Sequence, residues 1–230
     1  MLMRLSTLAA TAGLSIVSLL MPTAALHAQD APRNIIKIAP LGWIHGQEPF
    51  SVETRLGYER VISQHGSLMG SYSYLGTNYP FTFIGEAALS ATIMTAFAAA
   101  GHARVVWTDV KTRTTGHRYQ LQYKYYLGQR RQAPEGFYVS PHFSYTKAHY
   151  TFEAPDFAYK VGSRTVNRNY NVLFGYQAVL GRHLAVELFT GLGYRDKTEK
   201  TYDQNDNYTG TRERETPLKV SSGLNVGWAF

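Results

Sequence analysis

The chain has 230 residues, no cysteine and a formal net charge of +7, with 17 Tyr, 11 Phe and 3 Trp. That length fits one domain once a leader is set aside, and the lack of cysteine excludes a disulfide framework, a thiolate metal site and a lipid anchor on cysteine. The positive charge invites a nucleic-acid reading, but no nucleic-acid motif is present, so no nucleic-acid partner is expected.

Residues 1–28 read as an export signal. "MLMR" supplies a charged start, "LSTLAATAGLSIVSLLM" an apolar run, and "PTAALHAQD" a stretch of small residues where cleavage is expected after Ala28, with Ala25 as the alternative. A membrane anchor is the competing reading, but Ser and Thr dilute the run and no basic cluster follows it. Removal of 1–28 takes only Arg4 among the charged residues, so the net charge falls to +6. Residues 29–230 are then the folded domain, carried across the inner membrane.

Stretches that alternate with a period of two follow, near residues 34–44, 51–62, 67–76, 113–127, 136–151, 164–180, 183–196 and 215–230. In "HRYQLQYKYYLG", Tyr119, Leu121, Tyr123, Tyr125 and Leu127 form one line, and Arg118, Gln120, Gln122 and Lys124 the other. Eight is an even number, and each stretch is long enough for a tilted strand to cross a bilayer. The connections after strands two, four and six are short or rich in turn residues; those after three, five and seven read as long. This segregation is expected of an all-β, eight-stranded antiparallel transmembrane up-and-down β-barrel with short periplasmic turns and long outer loops.

Parity then assigns the faces. Apolar and aromatic residues hold one side of every strand, while charges, amides and glycines hold the other, which a dry core would not tolerate unpaired. The greasy line therefore faces lipid, and aromatics near the strand ends form two girdles: Tyr125, Phe137 and Trp228 at one rim, Trp43, Tyr74, Tyr145 and Tyr194 at the other. The lumen is expected to hold a polar network of Lys37, Glu53, Arg55, Glu59, Arg118, Lys124, Glu187, Arg195 and Lys219. Eight strands enclose a space that side chains just fill, so the first reading is a salt-bridged plug and the runner-up a narrow gated channel; a wide pore is excluded.

Two insertions stand apart. Residues 77–109 contain an Ala-rich, helix-favouring segment, Glu86 to Ala100, with Leu89, Ile93, Met94, Phe97 and Ala100 at helical spacing. It reads as a helix on the lipid rim, a lid or a partner-binding element, and "ARVVWTDV" as an extension of strand four. The segment from Arg195 to Glu215 carries five basic and six acidic residues and reads as a solvated mobile loop. Its "DQND" lacks the spacing of a calcium loop; no metal and no cofactor are expected.

The chain ends "NVGWAF". Trp228 and Phe230 close an alternating apolar line, and the ending resembles the terminal strand of bacterial outer-membrane barrels, which implies an assembly signal read by the barrel assembly machinery and periplasmic chaperones. "NIIKIAPLGWI", "VETRLGYERVIS", "GHRYQLQYKYYLG" and "APEGFYVSPHFSY" resemble a family of small outer-membrane barrels known mainly as a domain of unknown function, of the general OmpA and OmpX architecture. The resemblance implies fold, outer-membrane location and a monomer among outer-membrane lipids and lipopolysaccharide, and no activity.

One constellation suggests chemistry. "SPHFSYT" sets His142 and Ser144 two apart, which resembles the dyad of outer-membrane lipid A deacylases; Glu153 is a candidate third member. That family carries Asn after its Ser, where this chain has Tyr145, and the phasing turns both residues inward, away from a lipid substrate. The expected function is accordingly non-enzymatic, with outer loops serving surface interaction, adhesion or envelope integrity. A lipid hydrolase is the alternative, and a periplasmic barrel carrying an apolar ligand a further one.

Overall fold

The computed structural model describes residues 32–44, 51–101, 109–128, 132–157, 159–203, 205 and 207–230. The export-signal reading falls outside the described residues, as does most of "ARVVWTDV". Eight strands follow the alternation: β1 (Asn34–Ile38), β2 (Ser51–Ser63), β3 (Gly66–Thr77), β4 (Lys111–Tyr126), β5 (Gly136–Ala154), β6 (Tyr159–Leu180), β7 (Leu184–Tyr202) and β8 (Tyr208–Ala229). Each pairs antiparallel with its neighbour in sequence, and β1 pairs with β8 through Ile35–Ala229 to Ile38–Val226, so one sheet closes on itself in a ring.

One end of the ring, the near end, gathers Asn34 and Phe230, which exchange backbone hydrogen bonds, and the turns β2–β3, β4–β5 and β6–β7. Gly181 opens the last of these at φ +64°, a left-handed conformation that glycine adopts without a Cβ penalty. The far end carries the other connections. There the expected long loops after strands five and seven are not found. β5 and β6 stay paired out to Ala154–Tyr159, and β7 and β8 to Tyr202–Tyr208. The charged stretch from Arg195 to Glu215 is thus mostly hairpin, not loop. Its alternation is invisible in the sequence because both faces are polar and period two has nothing to contrast.

β1 is shorter than expected, since Pro40 removes a donor and opens a 3-10 turn, Pro40–Trp43. Beyond Val226, no strand among the described residues pairs with the β1 side of β8. That stretch holds Arg212, Glu213, Arg214, Glu215 and Pro217, and its register against β7 shifts between Lys219 and Thr216, where β8 carries one extra residue. Charges, proline and a bulge are the devices that keep an open edge from pairing with another chain.

Between β3 and β4 runs one helix, α1 (Tyr79–Ala99), with Pro80 in its first turn, where its missing N–H costs nothing. It begins seven residues before the expected Glu86 and is not one-sided. Ile93 and Met94 are half-buried while Leu89 is exposed, so the expected apolar stripe is split between two faces.

The wall is inside out. Leu121, Val172, Phe174 and Leu192 point outward and are 47–56% exposed, whereas Lys37, Arg118 and Lys124 point inward and are at most 1% exposed. Buried apolar side chains cluster at the near end, where Ile35, Ala185 and Ala229 form one group and Tyr126, Ala133 and Tyr138 another, while Met69, Leu75 and Leu173 are buried farther along.

Candidate functional site: the polar interior

Inward parity turns every second side chain of each strand into the ring, and the stagger of the ring decides which of them meet. Two lysines and two glutamates interlock just inside the near end. Lys37 Nζ donates to Glu187 Oε2 at 2.6 Å, to Gln177 Oε1 at 2.6 Å and to Glu59. Lys124 Nζ stands 2.8 Å from Glu59 Oε2 and 2.6 Å from Glu187 Oε1. The charges alternate around the group, so every cation has two anions and every anion two cations.

Neutral donors complete the carboxylates. Ser67 Oγ and Tyr126 Oη donate to Glu59 Oε1 at 2.5 and 2.9 Å; Asn225 Nδ2 donates to Glu187 Oε2 at 3.0 Å, and Tyr138 Oη to Glu187. Such completion is what makes buried charge tolerable, since removing one partner strands the others away from water.

Farther up the axis, Glu53 is held between two guanidinium groups: Arg118 Nη1 at 2.5 Å and Arg55 Nη2 at 2.6 Å. Arg118 Nε also donates to Thr146 Oγ1 at 2.7 Å. Toward the far end two basic residues are half-buried. Arg195 Nε and Lys219 Nζ both donate to Asn169 Oδ1, at 2.9 and 3.3 Å. Between these tiers lies a cavity of about 20 Å³ bordered by Arg55, Gln122, His142, Phe189 and Asn225, room for roughly one water.

All nine residues assigned to the lumen from sequence therefore point inward, in three groups. Of the neutral partners, parity sets Asn169, Gln177 and Asn225 on the inward line without a role, and Ser67, Tyr126 and Tyr138 were missed. Inward parity was their only signal, and in "YKYY" and "GFYV" it is masked by aromatics on both faces.

The three residues of the candidate dyad are not brought together. His142 Nδ1 pairs with Asn171 Nδ2 at 3.0 Å, and Ser144 Oγ accepts from Asn169 Nδ2 at 2.9 Å, so each is bonded across to β6 and not to the other. Glu153 sits nine residues beyond Ser144 on the same strand, about 30 Å away by strand rise, and faces Lys160 at 4.0 Å. No group of three His, Asp or Glu among the described residues has metal-holding geometry.

At the chain end, Trp228 is exposed and stacks on His183, with centroids 4.6 Å apart and planes 13° apart. Comparisons with protein-family models, curated proteins and solved structures return no match. The functional reading rests on the geometry above.

Proposed function

We propose that this chain is an integral outer-membrane β-barrel protein without catalytic activity, whose interior is a salt-bridged plug and whose far-end hairpins serve surface interaction or envelope integrity. The observation that carries the reading is the reversal of polarity across the wall. Large apolar side chains lie outside, and lysine, arginine and glutamate lie buried within. In water such a surface would associate; in hydrocarbon it is the surface that costs least.

The pairing of every strand with its neighbours, with β1 closing the ring onto β8 at the near end, also suits that medium, because a lipid-exposed backbone group without a partner costs several kcal/mol. In this reading the near end is periplasmic, and Trp228 and Phe230 present the assembly signal there. The basic residues of the far end, among them Lys147, Arg164 and Arg168, stand where the phosphates of lipopolysaccharide would meet them. The likeness to the small-barrel family of unknown function and to OmpA and OmpX belongs to the same proposal.

Gel mobility of the refolded chain 29–230 tests it. The unheated protein in detergent is expected to migrate apart from the boiled protein. A product that stays monomeric and folded in buffer without detergent overturns the proposal.

A further inference from the structure

The helix α1 repeats the reversal of the wall on a smaller scale. From residue 79 to 101, Glu86 is the only acidic or basic side chain. It turns toward the ring, where its Oε1 accepts from the backbone N–H of Thr112 at 2.5 Å. Glu86, Ser90, Ile93 and Met94, at helical spacing, make the half-buried or buried face.

The opposite face is exposed and carries Ile84, Ala88, Ala91, Thr92 and Thr95, flanked by Leu89 and Ala96; Phe83, three residues before Glu86, is exposed on the Glu86 side in the first turn. Phe83 is 72% exposed and Ile84 64%. A helix resting on protein with its back to water puts polar groups on that back. This one puts no charged or amide side chain there, only two threonines.

Its two exposed threonines complete the pattern. Thr92 Oγ1 donates to the Ala88 carbonyl and Thr95 Oγ1 to the Ala91 carbonyl, each at 2.8 Å. A threonine in water has no need to bond four residues back; the bond competes with solvent and is neutral or slightly unfavourable there. Where no water is at hand, it satisfies the hydroxyl inside the helix itself. The exposed face thus offers a surrounding medium methyl and methylene groups and two hydroxyls already spent.

The helix also continues the outward aromatic row at the end of β3. Tyr72 and Tyr74 face outward beside His117, and the chain turns into α1 five residues after Tyr74. No helix among the described residues is long and apolar enough to cross a membrane, so a place within one leaflet fits and a full span does not.

We infer that the outward face of α1 lies in the hydrocarbon of the outer leaflet, a lipid-immersed helix clamped to the ring by Glu86. The inference rests on the membrane reading above, and the test separates the two. The chain has no cysteine, so one introduced cysteine takes one nitroxide label.

Four variants of the full mature chain are reconstituted in vesicles of phosphatidylethanolamine and phosphatidylglycerol: Ala88→Cys and Ala91→Cys on the helix, Leu121→Cys on the wall, and Thr209→Cys on the β7–β8 hairpin. Collisional relaxation by oxygen, which concentrates in lipid, and by a neutral nickel chelate, which stays in water, is then compared. The helix labels are expected to follow Leu121→Cys, relaxing with oxygen and shielded from nickel by at least about tenfold relative to Thr209→Cys.

Helix labels that follow Thr209→Cys while Leu121→Cys stays lipid-exposed overturn the inference and leave the membrane reading standing. Helix labels shielded from both reagents mean that protein covers the face, and overturn it as well. A Leu121→Cys label relaxed by nickel overturns the membrane reading itself.

Discussion

Lys124 on β4 reaches Glu59 on β2 at 2.8 Å, across the lumen and past the intervening β3. The contact is a strut between strands that share no backbone hydrogen bond. Lys124→Met leaves Glu59 and Glu187 each short of a cation in a buried setting, and is expected to cost about 3–5 kcal/mol. Adding Glu59→Gln to it leaves the Lys37–Glu187 pair intact at 2.6 Å and is expected to recover part of that loss. Urea unfolding in vesicles, followed by gel mobility, measures both; a double variant that loses the sum of the two single losses contradicts the strut.

Gly175 is the seat of Tyr138. A Cβ built on Gly175 would come within 2.7 Å of the Tyr138 ring carbon Cε1, and that ring carries the hydroxyl that donates to Glu187. Gly175→Ala is expected to push the ring off the carboxylate and cost about 1–3 kcal/mol. Tyr138→Phe removes only the donor and should cost less than the alanine variant. The same unfolding assay ranks them.

The eight strands were legible because a wall with one apolar and one polar face writes period two directly into residues such as Leu121 and Gln122. The hairpin extensions were not, since Lys197, Glu199, Arg212 and Arg214 lie where both faces are polar. The inward direction of Lys37, Glu59, Lys124 and Glu187 was also legible. Their meeting in one group was not, because the stagger of a closed sheet is a property of all strands together and no local pattern encodes it. Tyr138 was missed for a simpler reason: its neighbour Phe137 is aromatic too, so neither residue type marks the inner face.

Substitution depth should report the surrounding medium. Leu121 sits mid-wall and outward, 53% exposed, and Thr209 on the far-end hairpin. Leu121→Arg is expected to cost about 2–4 kcal/mol in a bilayer, whereas Thr209→Arg should change stability little. Equal effects of the two, measured by unfolding from vesicles, would contradict a hydrocarbon environment at Leu121.

The hairpin tip beyond the wall has a pH-sensitive cap. The backbone N–H groups of Asn207 and Asn205 donate to Asp203 Oδ1 at 2.8 and 2.9 Å, and they hold the Asp203 carboxyl below its ordinary value of 3.8. A carboxyl lowered in the folded state stabilises the tip above the unfolded value and loses that contribution as pH falls through the folded one. The amide signals of Asn205 and Asn207 should therefore stay constant at neutral pH and move only below about pH 3.8. Asp203→Asn should abolish the acid shift.

Conduction tests the plug. A cavity of about 20 Å³ lies inside, and below it the two lysines and two glutamates tie together β1, β2, β4 and β7, with Tyr126 and Tyr138 beneath. An ion passing that level would have to displace a lysine from two carboxylates at once, and each stranded charge would be buried without a counter-ion. Planar bilayers holding the wild-type protein are expected to show no resolvable current steps, in low or high salt. A steady ohmic conductance would mean that the Lys124–Glu187 contact at 2.6 Å opens in the membrane, and would turn the interior from a plug into a gated conduit.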